Sequence, residues 1–505
     1  MPETEQDDDY QEDNNMKVKL FLKSIFVLVI IIIILLSNYI NNINSELRKN
    51  PYNLINKLKM NINKNISLRP TDNSICDNLD PISIFNFRLK NEPLTFCETK
   101  TSKHVCYRNN NGYYNDIFYS RSGVICKMEN IILDPSKSNQ TNIIYKGPVD
   151  KKNKGLPILS NGFFNMKCDK KNELNTDDMD LYKNYFNSWN YNYTNVEEIE
   201  ELAPGKTIFF LSRNQDSPNL FHGSSELINA ISLMHLFNLK PEDIKIIFLE
   251  SMTIKNDPFY DLYKNLVSRG GEPLYIKDLK KKYHLSSAFH VPINWDSPCM
   301  IKNDYHNCKY STQTYKFLNE LVNKYMEIKD FKDNFITDNE IYYYPKSVIE
   351  SYKSNITFIK TVTIQWRKVW PKGRTGQFRI LGNGPELADK LASVLPKNFL
   401  IRLIDTGGMP ISEQISIMKK TDYLVGIHGA GLCLSVFMPK ESILHEILSV
   451  PNMRVLVLMS SLSGHITYSD LVRCKFNYDG NENIMFQPNI FARKVLAHMI
   501  ENNYF

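Results

Sequence analysis

The chain has 505 residues, 42% hydrophobic and 23% charged, with 61 Lys and Arg against 55 Asp and Glu for a net charge of +6. That length allows two or three compact units, and the apolar content is enough for real cores. No dense Lys/Arg block occurs, which excludes a nucleic-acid footprint and leaves room for a small anionic ligand.

The chain opens on an acidic head, residues 1–19, with Glu3, Glu5, Asp7, Asp8, Asp9, Glu12 and Asp13 before the first base. Residues 20–40 read LFLKSIFVLVIIIIILLSNYI, apolar on every side. At about 1.5 Å per residue such a segment spans roughly one hydrocarbon core. No small-residue cleavage site follows, so the segment reads as an uncleaved signal anchor with a cytosolic N-terminus. The Asn- and Lys-rich residues 41–69 read as a stem.

All nine cysteines (76, 97, 106, 126, 168, 299, 308, 433 and 474) and four glycosylation sequons (Asn65, Asn139, Asn192 and Asn355) lie beyond the anchor. Both features suit an oxidising lumen. The pair Cys299 and Cys308 suggests a local loop, and Cys76, Cys97, Cys106 and Cys126 suggest stapling of an irregular segment. Connectivity stays open. Cys433, in an apolar context, is expected to remain a buried thiol.

Residues 70–195 show few periodic runs and are expected to be irregular. From about residue 205 short apolar strands alternate with amphipathic helices. Strands are predicted at 207–211 and 244–249, with helices at 226–237 and 260–268. The stretch 330–352 reads as an interdomain connection. Alternation then resumes, with strands at 357–365, 399–404, 423–426 and 442–448, helices at 386–394 and 412–418, and a closing helix at 489–501. This is βαβ grammar, which implies α/β architecture with two Rossmann-like units.

The stretch 422–447, DYLVGIHGAGLCLSVFMPKESILHEI, carries the most chemistry. A buried strand runs into His428-Gly429-Ala430-Gly431, and a helix begins at Leu432. Small residues let the backbone approach a ligand, and a helix N-terminus favours phosphate. His428 supplies a donor or a proton-transfer group. Glu446 ends a second strand, where open α/β sheets bind ligands and a carboxylate can accept ribose hydroxyls.

Together with Phe437, Pro439 and Ile447, this stretch resembles the signature of glycosyltransferase family 61. Trp366-Arg367 and Arg379 resemble its paired-arginine segment, with Arg374 competing for the second place. Asn219, His222 and Glu226 resemble its Asn-x-x-His-x-x-x-Asp/Glu element, whose i,i+4 spacing puts His222 and Glu226 on one helix face.

The resemblance implies a GT-B-like fold, two facing Rossmann-like domains with a central cleft, preceded by one transmembrane helix. Its expected domains are an N-terminal acceptor-side unit over 70–340, a nucleotide-sugar unit over 341–488 and a C-terminal helix over 489–505. The implied activity is inverting transfer of GlcNAc or xylose from a UDP-sugar to a glycoprotein glycan or polypeptide hydroxyl, at the Golgi or endoplasmic reticulum membrane. Arg367, Arg379, His428, Gly429, Ala430, Gly431 and Glu446 would bind the donor. His222 and Glu226 would act on the acceptor, and neither a metal nor another cofactor is implied. The alternative is an inactive membrane-anchored glycan- or nucleotide-binding glycoprotein of the same fold.

Overall fold

The computed structural model describes residues 74–90, 93–107, 124–139, 158–168, 183–194, 198–212, 220–249, 259–292, 308, 310–333, 335, 341–366, 379–407, 409–448, 455–471, 475–476 and 482–505. The acidic head, the predicted anchor and the stem lie outside them. Among the described residues no helix is long and apolar enough to cross a membrane.

Two compact units are distinguished. The larger spans residues 68–392 and 397–488, while the described part of the smaller is 393–396 with 489–505. In the smaller unit the helix Pro488–Glu501 buries Phe491, Val495 and Met499 together with Ala492, Leu496 and Ile500, two rows at a spacing of four.

The larger unit is α/β and holds two sheets with parallel cores. The first contains β1 (Leu94–Glu98), β2 (Lys103–Tyr107), β3 (Ile125–Leu133), β4 (Thr207–Leu211), β5 (Ile244–Phe248), β6 (Leu274–Tyr275) and β7 (Tyr283–His290), in the order β1-β2-β3-β7-β4-β5-β6. Strands β7, β4, β5 and β6 are parallel, whereas β3, β2 and β1 extend the sheet antiparallel. Helices α1 (Ser74–Leu79) and α2 (Pro81–Lys90) precede this sheet, and α3 (Leu220–Leu236), α4 (Tyr260–Leu266) and α5 (Gln313–Tyr325) belong with it.

The second sheet contains β8 (Tyr342–Tyr343), β9 (Lys360–Gln365), β10 (Phe399–Ile404), β11 (Tyr423–Ile427), β12 (Ile443–Leu448) and β13 (Ile466–Leu471). Their order is β8-β10-β9-β11-β12-β13, parallel except for β8. Strands β10, β11 and β12 are buried along their whole length, as strands covered by structure on both faces must be. Helices α6 (Lys346–Lys353), α7 (Gly384–Val394), α8 (Ile411–Lys419) and α9 (Val455–Leu462) connect or flank them. One apolar cluster runs from Phe209 and Phe248 of the first sheet to Leu424 and Leu444 of the second.

Three expectations need correction. Residues 70–195 are not simply irregular: they supply α1, α2 and β1–β3. Lys103, Lys127 and Glu129 interrupt the apolar pattern there, because β2 and β3 have partly exposed positions. The stretch 330–352 is not only a connection, since β8 and most of α6 lie in it. Asp333 within it pairs with the fully buried Arg402 of β10 at 2.9 Å.

The third correction concerns Cys308, which bonds Cys76 and not Cys299. The other disulfides are Cys97–Cys168 and Cys106–Cys126, and Cys433 is a buried free thiol as expected. Cys299 and Cys474 lie outside the described residues. Sequence proximity favoured the local loop, but the fold brings α1 beside the chain entering α5.

Candidate active site

Among the parallel strands of the second sheet, β9 is first in the chain, and its two neighbours are β10, the next in sequence, and β11, the third. The strand order therefore reverses between β9 and β11, and ligands of open α/β sheets bind outside the carboxyl ends at such a point. Strand β9 ends at Gln365-Trp366, while β11 ends at Ile427 and passes directly into His428-Gly429-Ala430-Gly431. Arg367 lies one residue beyond Trp366, outside the described residues, as does Arg374.

The turn is built by contact. A Cβ on Gly431 would fall 2.1 Å from Nε2 of Gln365, and one on Gly426 would fall 2.9 Å from Leu432 Cδ2. Gln365 is itself buried and donates to Thr406 Oγ1 at 3.1 Å, so the floor beneath the turn is held in place. The following helix is a 3-10 helix, Ala430–Phe437, starting two residues before the predicted position. Its first bond runs from Leu432 N–H to Gly429 O at 2.9 Å.

His428 and Glu446 come from neighbouring parallel strands, with Gly426 opposite Glu446 in register. His428 Nδ1 lies 2.6 Å from Glu446 Oε1, with His428 9% exposed and Glu446 fully buried. A bond this short between a ring N–H and a carboxylate is charge-assisted and fixes the imidazole's orientation. It commits Nδ1, so a ligand contact by this ring runs through Nε2. On the next residue, His445 Nδ1 lies 3.1 Å from Tyr423 Oη, and its Nε2 lies 2.8 Å from Asp470 Oδ2. Strand alternation turns this second network to the opposite face.

In the first sheet the order reverses between β4 and β7. Helix α3 carries both His222 and Glu226, starting six residues before the predicted position. Glu226 is buried, whereas His222 is partly exposed. Tyr263 Oη donates to Gly223 O at 2.9 Å and pins the start of this helix. Helix α3 packs against the 3-10 helix Ala430–Phe437 that follows the glycine turn. Asn219 lies outside the described residues. Arg379 opens a strand, Arg379–Leu381, of a separate three-stranded sheet and so is not on the strands that frame the turn.

Reading the sequence missed Gln365, His445, Tyr423 and Asp470. Gln365 carried a usable signal, a polar residue closing an apolar strand one position before Trp366. His445 and Tyr423 lie inside buried strands and Asp470 in the partly exposed β13, without a motif to mark them.

A further grouping of ligand-type residues, His104, Cys106 and Cys126, lies in the first sheet. Both sulfurs are joined in a disulfide, and His104 is stacked on Trp189 with centroids 4.0 Å apart. That is core packing and not a metal centre.

Residues 266–444 match the family model described as Glycosyltransferase 61. That match, over about a third of the chain, supports membership of glycosyltransferase family 61. The match contains Arg367, Arg379 and the turn His428–Gly431, ends two residues before Glu446, and does not extend back to His222 and Glu226. No curated protein matches the chain. At the level of the family, the match supports glycosyltransferase activity.

Proposed function

We propose that the protein is an inverting, UDP-sugar-dependent glycosyltransferase of the secretory pathway, with a GT-B-like arrangement of its two sheets and a type II anchor at residues 20–40. The observation that carries the reading is the His428–Glu446 pair beside the glycine turn, at the point where the strand order of the second sheet reverses.

The diphosphate would lie on the backbone of Gly429-Ala430-Gly431, with Arg367 and Arg379 as cationic partners. His428 Nε2 would donate to the departing diphosphate, and Glu446, fully buried, would hold the ring in place through Nδ1. This gives Glu446 a positioning role on the ring in place of the ribose contact that the resemblance implies. His222, the more exposed of its pair, would take the acceptor hydroxyl proton, with Glu226 one turn behind it. The acceptor oxygen then bonds the anomeric carbon, the bond from that carbon to the UDP oxygen breaks, and UDP leaves with the electron pair.

The luminal placement is supported by three disulfides and by exposed sequon asparagines at 192 and 355. Metal independence rests on the family resemblance alone: one Asp-x-Asp does occur beyond the anchor, Asp178-Met179-Asp180, outside the described residues. The donor would be UDP-GlcNAc or UDP-xylose, and the acceptor a glycoprotein glycan or a polypeptide hydroxyl.

The test uses the full chain in mild detergent with a panel of UDP-sugars, following UDP release with and without EDTA. One UDP-sugar should be turned over, and EDTA should leave the rate unchanged. No turnover together with no thermal shift by UDP would end the reading, and a metal-reversible loss would replace its metal-free form.

A further inference from the structure

Among the sequons, Asn355 has surroundings suited to a sugar. We propose that Asn355 carries an N-linked glycan whose first N-acetylglucosamine lays its C–H face on the ring of Tyr352, three residues upstream. The proposal rests on the luminal side of the proposed function.

Helix α6 ends at Lys353, and the chain then turns. Asn355 has φ +57°, its N–H donates to Tyr352 O at 2.9 Å, and Ile356 N–H donates to Ser351 O at 3.0 Å. This is a Schellman ending with Asn355 at the left-handed position, which asparagine tolerates better than most residues. Helix termination therefore explains the asparagine. It does not explain Thr357, exposed two residues on, which completes the acceptor triplet. The Asn355 carboxamide is exposed and makes no hydrogen bond among the described residues.

The turn brings the Cα atoms of Tyr352 and Asn355 within about 7 Å. Tyr352 is 52% exposed, yet its ring is stacked on Phe335 with centroids 4.0 Å apart and planes at 21°. Phe335 in turn stacks with Phe358 and tilts against Tyr344. One side of the Tyr352 ring is thus held by the protein while much of the residue meets water. A pyranose presents polarised C–H bonds on one face, which suit the negative face of an aromatic ring. Because Phe335 already orders the tyrosine, the contact would cost little side-chain entropy. At Asn192, also exposed, the ring three residues upstream, Trp189, is buried.

The modification joins Asn355 Nδ2 to the anomeric carbon of an oligosaccharide. It breaks the bond from that carbon to the diphosphate of a lipid-linked donor and releases an amide proton, and it is catalysed by the host cell's own transferase.

The full chain is expressed in a eukaryotic cell, extracted in mild detergent and examined by peptide mass spectrometry. Its melting temperature is compared after trimming the glycans to a single GlcNAc. The Asn355 peptide should carry a glycan. Thr357→Ala, which leaves the helix ending intact, should remove it and lower Tm by about 1–2 °C for a chain of this size. In a Tyr352→Ala background, Thr357→Ala should then have no effect on Tm. A glycan at Asn192 with none at Asn355 would overturn the proposal and leave the luminal reading standing. An unchanged Tm difference in the Tyr352→Ala background would overturn the stacking. No glycan at any sequon would remove the proposal and its luminal premise together.

Discussion

At the scale of single residues, the decisive pair is His428 and Glu446, joined at 2.6 Å across adjacent strands. If the ring donates to the leaving diphosphate, His428→Asn should lower kcat by about 10²-fold, the usual loss for one donor to developing negative charge. Its effect on the KM for the donor should be much smaller, because the charge grows in the transition state. Glu446→Gln keeps the shape and a hydrogen bond but removes the charge that strengthens its bond to the ring. It should cost about tenfold in kcat, the order expected when one charge-assisted hydrogen bond becomes a neutral one. Steady-state kinetics on both variants, with far-UV circular dichroism to establish folding, decides the matter. Equal kcat in His428→Asn and the parent would remove the ring from the chemistry. Arg367→Ala should abolish transfer while the protein folds, and full activity in that variant would refute its place at the donor.

At the scale of elements, the glycine turn is constrained from below by the end of β9. Gly431→Ala would drive a Cβ into the Gln365 amide, whose Nε2, Cδ and Oε1 all lie within 3.0 Å of the added atom. The amide would have to leave Thr406, so a destabilisation of about 1–2 kcal/mol is expected from overpacking and a lost buried hydrogen bond. Shortening the partner should relieve the clash. Gln365→Ala with Gly431→Ala should therefore be more stable than the sum of the single changes predicts, and chemical denaturation of the four proteins measures that coupling.

The turn itself was legible in the sequence, because a Gly-Ala-Gly run after an apolar strand has one common use in α/β proteins. Its floor was not, because nothing in a lone glutamine says which glycine lies over it. Strands β4 and β10 were readable to the residue, being short runs of Ile, Leu and Phe. The antiparallel strands β2 and β3 were hidden by lysines at their partly exposed positions. Helix α3 was placed six residues short, because Gly223 and two serines dilute its first turns.

At the scale of the molecule, the N-terminal helices are fastened to the body by covalent and polar links. Asp80 Oδ1 accepts from Thr312 Oγ1 at 2.6 Å and from Thr314 N–H at 3.0 Å, beside the Cys76–Cys308 disulfide. Cys308 N–H in turn donates to Ser461 Oγ of α9, beyond the second sheet. The disulfide closes a loop of 232 residues, so Cys76→Ser with Cys308→Ser should cost about 3–5 kcal/mol, read as a lower Tm.

Three buried histidines make stability depend on pH. Burial pushes the pKa of His104 and of His290 down to about 3, with mutual repulsion adding to the shift at His104, and pushes that of His465 down to about 4. In the unfolded chain each would titrate near 6.5. Between those values the unfolded state binds the extra protons, so stability falls as pH drops. Above about pH 6.5 both states are neutral at these sites and the contribution is flat. At pH 4.5 each histidine should have cost on the order of 2 kcal/mol. Tm should therefore be nearly constant from pH 7 to 8 and fall steeply from pH 6 to 4.5. Replacing His104, stacked between Phe96 and Trp189, by phenylalanine should keep the aromatic packing and make that fall shallower. The same acid slope in His104→Phe and the parent would show that this ring is not among the groups that titrate on unfolding.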